Sequence, residues 1–214
     1  MPSPDRPAVR LVLASGSPAR LATLRAAGVD PAVLTSGVDE DAVAATLADA
    51  TPAEVAVALS AAKCAAAAAV LRASASTLVV GCDSLLELDG ERYGKPAGAA
   101  AAVALWRRMR GRTGVLHTGH CVRLLPAGEE RRAVASTTVH FADVSDAEVQ
   151  AYVSSGEPLA VAGAFTLDGL GGAYVRGVEG DPHNVVGISL PLLRDLVAEL
   201  GTVWHTLWAP RSSG

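Results

Sequence analysis

Lysine is almost missing from this chain of 214 residues: of 18 Lys plus Arg, only Lys63 and Lys95 are lysine. Arginine serves wherever a generic cation is needed, so these two positions stand out as places for a compact ammonium with mobile donors. A basic excess is lacking as well. The net charge of -4 provides no general field for a nucleic-acid polymer, although a small anion needs only a local cluster of donors. Cysteine is scarce and irregular. Cys64, Cys82 and Cys121 are an odd number with no CxxC spacing, and they read as reduced intracellular thiols, not a disulfide framework or a zinc site. No uninterrupted apolar run approaches the roughly 20 residues of a membrane span. The polar, Pro-rich start lacks the apolar stretch of a secretory signal. The expected location is cytoplasmic, without a membrane partner. A Walker A loop, a G-x-S-x-G elbow and an H-E-x-x-H pair are all absent.

What is present supports a folded α/β chain. Hydrophobic residues make up 50% and charged residues 19%, enough for a sizeable core. Residues 10–14 read as a short buried strand. Ser17 then suits an N-cap and Pro18 the first helical position, giving a helix that stops at Gly28. A second strand is expected at residues 33–36. Thr51, Pro52 and Glu54 form a capping-box pattern before a long Ala-rich helix reaching residue 73, with Lys63 inside it. Residues 77–82 make an apolar strand of the kind found in mostly parallel sheets. Asp89-Gly90 marks a hairpin between residues 85–88 and 91–93. A helix over 99–110, strands over 115–125 and 131–141, and a capped helix from Ser145 follow. Residues 163–187 are rich in glycine and read as short strands and loops, and Ser189 opens a last helix to about 200. Alternation early and hairpins later favour a mixed sheet.

Five segments carry groups fit for chemistry, and each also has a plainer reading. L-A-S-G-S-P-A-R (13–20) runs a strand into a helix N-terminus. Ser15 and Ser17 offer hydroxyls there, and Arg20 lies where the helix dipole alone would favour an acid. Such a turn is also an ordinary strand–turn–helix. V-V-G-C-D-S places Asp83 at the expected carboxyl end of a strand, able to bind a metal or take a proton, with Ser84 beside it as a phosphate donor. Asp83 would equally cap a turn. Lys95 sits between Gly94 and Pro96, as a phosphate contact or a solvated turn lysine. Asp39-Glu40-Asp41 offers carboxylates for magnesium, or a solvated loop or helix start. In A-G-A-F-T-L-D-G-L-G-G, Phe165 is placed to stack on a base and Asp168 to accept hydrogen bonds from it; otherwise Phe165 is core.

Taken in order, these segments resemble the Maf family of septum-formation-inhibitor-like nucleotide pyrophosphatases. The family's L-A-S-x-S-P-R-R stands here with Ala19 for the first arginine. S-x-x-D-E appears as Ser36, Asp39 and Glu40, the helix lysine as Lys63, and G-A-D-T as Gly81-Cys82-Asp83-Ser84. G-K-P is Gly94-Lys95-Pro96, A-G-A-Y-G-I-Q-G appears as A-G-A-F-T-L-D-G, and G-D-x-x-N-V-V-G is Gly180 to Gly187. The resemblance implies an elongated mixed α/β sheet with a cleft between two lobes, similar to inosine triphosphate pyrophosphatases. It also implies cleavage of a nucleoside triphosphate to monophosphate and pyrophosphate with magnesium or manganese, and a homodimer. Asp83 would be the proton acceptor, and Lys63 and Lys95 the catalytic cations. Ser15, Ser17, Arg20, Ser84, Phe165 and Asp168 would bind substrate, and Glu40 and Asp83 the metal. The expected division is a flexible start over 1–9, one two-lobed domain over 10–201 and a tail over 202–214. Modified nucleotides are a further expected substrate class. A nucleotide-binding regulator of cell division with little turnover remains open beside the enzyme.

Overall fold

In the computed structural model, which describes residues 9–73 and 75–210, the chain enters on strand β1 (Arg10–Leu13). The expected flexible start, 1–9, lies outside the described residues except for Val9. Helix α1 (Pro18–Ala26) follows, with the Ser17 side chain accepting from the Arg20 amide as its cap. Strand β2 is only Ala32–Val33, one residue earlier and shorter than expected, because its parallel ladder with β1 consists of Val12↔Ala32 and Leu13↔Val33. The acidic cluster opens a helix: Asp39 caps α2 (Glu40–Ala45). The capping box of Thr51 and Glu54 starts α3 (Pro52–Val70), which ends three residues before the expected position.

The two expected strand pieces around Asp83 are one strand, β3 (Thr77–Leu88). Asp83 and Ser84 are poor strand formers, but β5 (Thr113–Leu125) pairs antiparallel along the whole length, from Thr77↔Leu125 to Glu87↔Val115, and carries them through. Asp83 is therefore mid-strand and not at a carboxyl end. The Asp89-Gly90 turn, both residues at positive φ, leads into β4 (Glu91–Tyr93). After α4 (Ala99–Met109) and β5 come β6 (Glu129–Phe141) and α5 (Asp146–Ser154). Short 3-10 turns lead to β7 (Val175–Glu179). The short helix α6 (Pro182–Val186), where only strands and loops were expected, precedes α7 (Leu190–Glu199). Of the expected tail over 202–214, the described residues 202–210 include a 3-10 turn over Trp204–Leu207 that brings Trp208 into a bridge with Val29, and 211–214 lie outside the described residues.

The result is a seven-stranded mixed sheet in the order β2-β1-β3-β5-β6-β7, with β4 on β3. Only the β2-β1-β3 part is parallel, so the sheet is less parallel than the apolar run at 77–82 suggests. The even residues of β3 share one face. Leu78, Val80 and Cys82 join a cluster with Leu13, Leu24, Ile188 and Leu193. Leu86 and Leu88 join another with Trp106, Phe141 and Phe165. Ser84 falls between the two. On the opposite face lies α3, which is 19 residues long with mean hydropathy 1.6, long and apolar enough by length and composition to cross a membrane. Here Val55, Ala56, Leu59, Cys64 and Ala67 of that helix are instead buried. Two glycines let it approach. A Cβ on Gly81 would lie 2.2 Å from the Ser60 carbonyl, and one on Gly119 would lie 2.2 Å from the Ala56 carbonyl.

Candidate functional site

The parallel ladder between β1 and β3 ends at Leu13↔Val80. There the chain turns away into α1, while β3 runs on and carries Asp83 and Ser84 past the end of its neighbour. The gap opens into a cavity of about 1060 Å3, at the top of the range usual for small-molecule sites. Ser15, Ser17, Arg20, Glu40, Lys63, Asp83, Ser84, Lys95, Phe165 and Asp168 all line it. Groups from segments 150 residues apart in sequence thus meet at one wall.

Lys63 is the centre of the α3 side. Its ammonium, 8% exposed as a residue, contacts Asp83 Oδ1 at 2.5 Å and Glu40 Oε1 at 2.9 Å. Burial raises the Asp83 carboxyl above the usual aspartate range, against the opposing pull of Lys63 and Arg20. A carboxylate held this way is a stronger proton acceptor than a solvated one. Glu40 stays half exposed toward the cavity. Glu40 and Asp83 form a hard oxygen pair facing open space, and among the described residues Asp83 Oδ2 has no hydrogen-bond partner. That donor set could hold a hard divalent cation.

A second group of ligand atoms lies elsewhere. Cys64, Cys121 and Glu130 come within 4.8 Å of one another, brought together by the sheet despite their irregular spacing. Glu130 already accepts from Arg123 and Arg132. Both thiols are buried, and none of the three residues lines the cavity. Soft sulfur donors do not suit magnesium.

Arg20 is more tightly built in than an open phosphate clamp. Its Nε donates to Gly187 O at 2.7 Å, Nη1 to Ser15 Oγ at 3.0 Å and Nη2 to Ser84 Oγ at 3.0 Å. A guanidinium has five N–H donors, so some remain for a ligand. Ser15 Oγ also accepts from the Ser17 amide at 3.2 Å. Both the Ser15 and Ser17 oxygens act as acceptors here, which leaves their protons free to point at an anion.

Two of the expected site residues are engaged by neighbours that the sequence does not reveal. Thr118 donates to Asn184 O at 3.1 Å, so the Ser84 hydroxyl, 2.9 Å from Thr118 Oγ1, must spend its single proton on Thr118. Its role here is to anchor Arg20. Phe165 is 3% exposed and meets Phe141 edge-on with centroids 5.0 Å apart. Aromatics are only 4% of the chain, and Trp106, Phe141, Tyr152, Phe165 and Tyr174 are collected in one cluster. Phe165 is therefore part of the floor and not a stacking platform.

Lys95 and Asp168 are exposed at the cavity wall, with no hydrogen-bond or ion-pair partner among the described residues. The sequence reading did not single out Arg92 or Glu157, which also line the cavity. Arg92 donates to Leu47 O at 3.1 Å and Ala44 O at 3.4 Å, tying the β3–β4 hairpin to the end of α2, the helix that starts with Glu40. Nothing local marks either residue, because their partners are distant carbonyls and loop amides.

Comparison with known proteins places the chain among relatives over most of its length. A family model described as "Maf-like protein" matches residues 10–200. A protein of Salinispora tropica named nucleoside triphosphate pyrophosphatase is 56% identical over 207 residues, covering 96% of this chain and 90% of its own. One of the same name from Streptomyces coelicolor is 56% identical over 209 residues, covering 98% of each. Another, from Nocardia farcinica, is 55% identical over 203 residues, covering 92% of this chain and 96% of its own.

Proposed function

Because the chain belongs to the Maf-like protein family, we propose that its cavity holds a nucleoside triphosphate and that the protein hydrolyses it to the monophosphate and pyrophosphate. The observation that carries this reading is the convergence of Lys63, Glu40 and Asp83, with Arg20 and Lys95 lining the same cavity. Arg20, Lys63 and Lys95 offer cationic donors to a triphosphate, and Asp83 is a raised carboxylate placed to accept a proton.

In the proposed reaction a water attacks the α-phosphorus, the bond from that phosphorus to the bridging oxygen breaks, and pyrophosphate leaves. Asp83 takes the proton of the attacking water. Lys63 fixes the Asp83 and Glu40 carboxylates in place, so little reorganisation is needed when charge develops. Arg20, held by Ser15, Ser84 and Gly187, turns its remaining donors to the phosphates, and Lys95 supplies a mobile point charge. Glu40 and Asp83 would hold a divalent ion, which when bound would supply further charge stabilisation. At the other end, ionised Asp168 only accepts hydrogen bonds, so it favours a base edge that presents N–H donors. Modified nucleotides are read in the same way, by their altered edges.

The test is pyrophosphate release with magnesium or manganese across normal and modified nucleoside triphosphates, with Asp83→Asn alongside. The variant should lose about 10²–10⁴ in turnover while keeping its fold. Near-full turnover in the variant would remove the proton-acceptor role. Binding without release in the wild type would favour a nucleotide-sensing regulator instead.

A further inference from the structure

The loop over 165–172, which carries Asp168, is fastened to a single carboxylate. Glu157 Oε1 accepts from Tyr152 Oη at 3.0 Å, Thr166 Oγ1 at 2.5 Å and the Gly171 amide at 3.1 Å. Its Oε2 accepts from the Leu170 amide at 3.0 Å. Four donors from both ends of the loop and from α5 thus meet one side chain. They outweigh the upward push of burial and keep the Glu157 carboxyl below the usual glutamate range. Three of these donors fall on Oε1 and one on Oε2, so the carboxylate is committed to the loop although it also lines the cavity.

The wrapping leaves no slack. A Cβ on Gly169 would lie 2.6 Å from Glu157 Oε2, and one on Gly171 would lie 2.4 Å from Tyr152 Oη. Tyr152 is in turn wedged edge-on against Trp106, centroids 5.5 Å apart. The tether therefore runs from the aromatic cluster through Tyr152 and Glu157 to the loop. Asp168, between the anchored Thr166 and Leu170, has no hydrogen-bond or ion-pair partner among the described residues and lines the cavity. Its placement comes from the backbone on either side.

We propose that Glu157 is a positioning residue that holds the 165–172 loop against the aromatic cluster and so aims Asp168 at the base of the bound nucleotide. This rests on the nucleoside triphosphate reading above. Glutamine cannot replace it. With the amide oxygen in the place of Oε1, the amide NH2 faces the Leu170 N–H, donor against donor.

The experiment compares wild type, Glu157→Gln, Asp168→Ala and the double variant in steady-state hydrolysis of several nucleoside triphosphates, with inorganic triphosphate as competitive inhibitor. Glu157→Gln should raise KM for the preferred nucleotide by about fivefold or more, narrow discrimination among bases and leave kcat within about twofold. Inhibition by inorganic triphosphate, which occupies only the cationic end, should not change. In the Asp168→Ala background the same substitution should add nothing to KM, since it acts through Asp168. Unchanged KM and discrimination, or a full additive effect in the double variant, overturns the proposal. Should Glu157→Gln not fold, Gly169→Ala disturbs the same tether and carries the same expectation. Wild type without turnover on any nucleotide would sink the pyrophosphatase reading itself. The tether is then judged by amide exchange at Leu170 and Gly171, which must accelerate in Glu157→Gln, and equal protection would refute it.

Discussion

Gly81→Ala tests how the site is assembled. The new Cβ would lie 2.2 Å from Ser60 O, 2.8 Å from Cys64 N and 3.0 Å from Cys64 Cβ. A relaxed carbon–oxygen contact needs about 3.3 Å, so α3 must retreat by roughly 1 Å. The two nearest atoms struck are backbone and the third is a Cβ, so no rotamer change relieves them. Overpacking of this kind costs about 1–3 kcal/mol. The displaced turn carries Lys63, whose contact with Asp83 is 2.5 Å, so the same shift opens the ion pair on which the chemistry is built. Misplacement by about 1 Å can cost on the order of 10²-fold in rate. Urea unfolding and pyrophosphate release are the two assays. Gly177→Ala is the control, because a Cβ there meets nothing within 4 Å. If Gly81→Ala unfolded within about 0.5 kcal/mol of wild type and kept its turnover, close approach of α3 would not be what sets the site.

Further outcomes follow from the buried groups and the oxygen pair. His120 is fully buried, with Nδ1 2.9 Å from Thr118 O and Nε2 accepting from the Ser189 amide, and burial lowers its pKa from 6.5 to about 4. The unfolded chain binds that proton first, so the stability from neutral His120 is complete above about pH 6.5 and is lost as pH falls toward 4, roughly 2 kcal/mol of it by pH 5. His120→Gln should flatten that part of the urea-derived stability profile; parallel losses in both proteins would contradict the assignment. Removing divalent ions with a chelator should abolish pyrophosphate release, and magnesium or manganese should restore it. Activity that survives exhaustive chelation would exclude the role given to Glu40 and Asp83.

The sequence by itself determined the local structure. Ser17-Pro18, Thr51 with Glu54, and Ser145 with Glu148 each mark a helix start because the cap is made within three residues. Asp89-Gly90 marks its hairpin because that turn demands positive φ. The rarity of lysine singled out Lys63 and Lys95, and the ordered motifs pointed to the family that the comparisons bear out. The tertiary structure decided what depends on distant partners. β3 passes through Asp83 because β5 pairs it on both sides. Ser84 hydrogen-bonds a hydroxyl 34 residues away, and Phe165 goes to the floor, where Trp106, Phe141, Tyr152 and Tyr174 also gather. Arg20 becomes a strut through a carbonyl 167 residues away, and Glu157 becomes a tether through amides of a glycine-rich loop. A side chain's chemistry is written in its identity, but which of its lone pairs and protons remain free is settled only by the neighbours that folding brings to it.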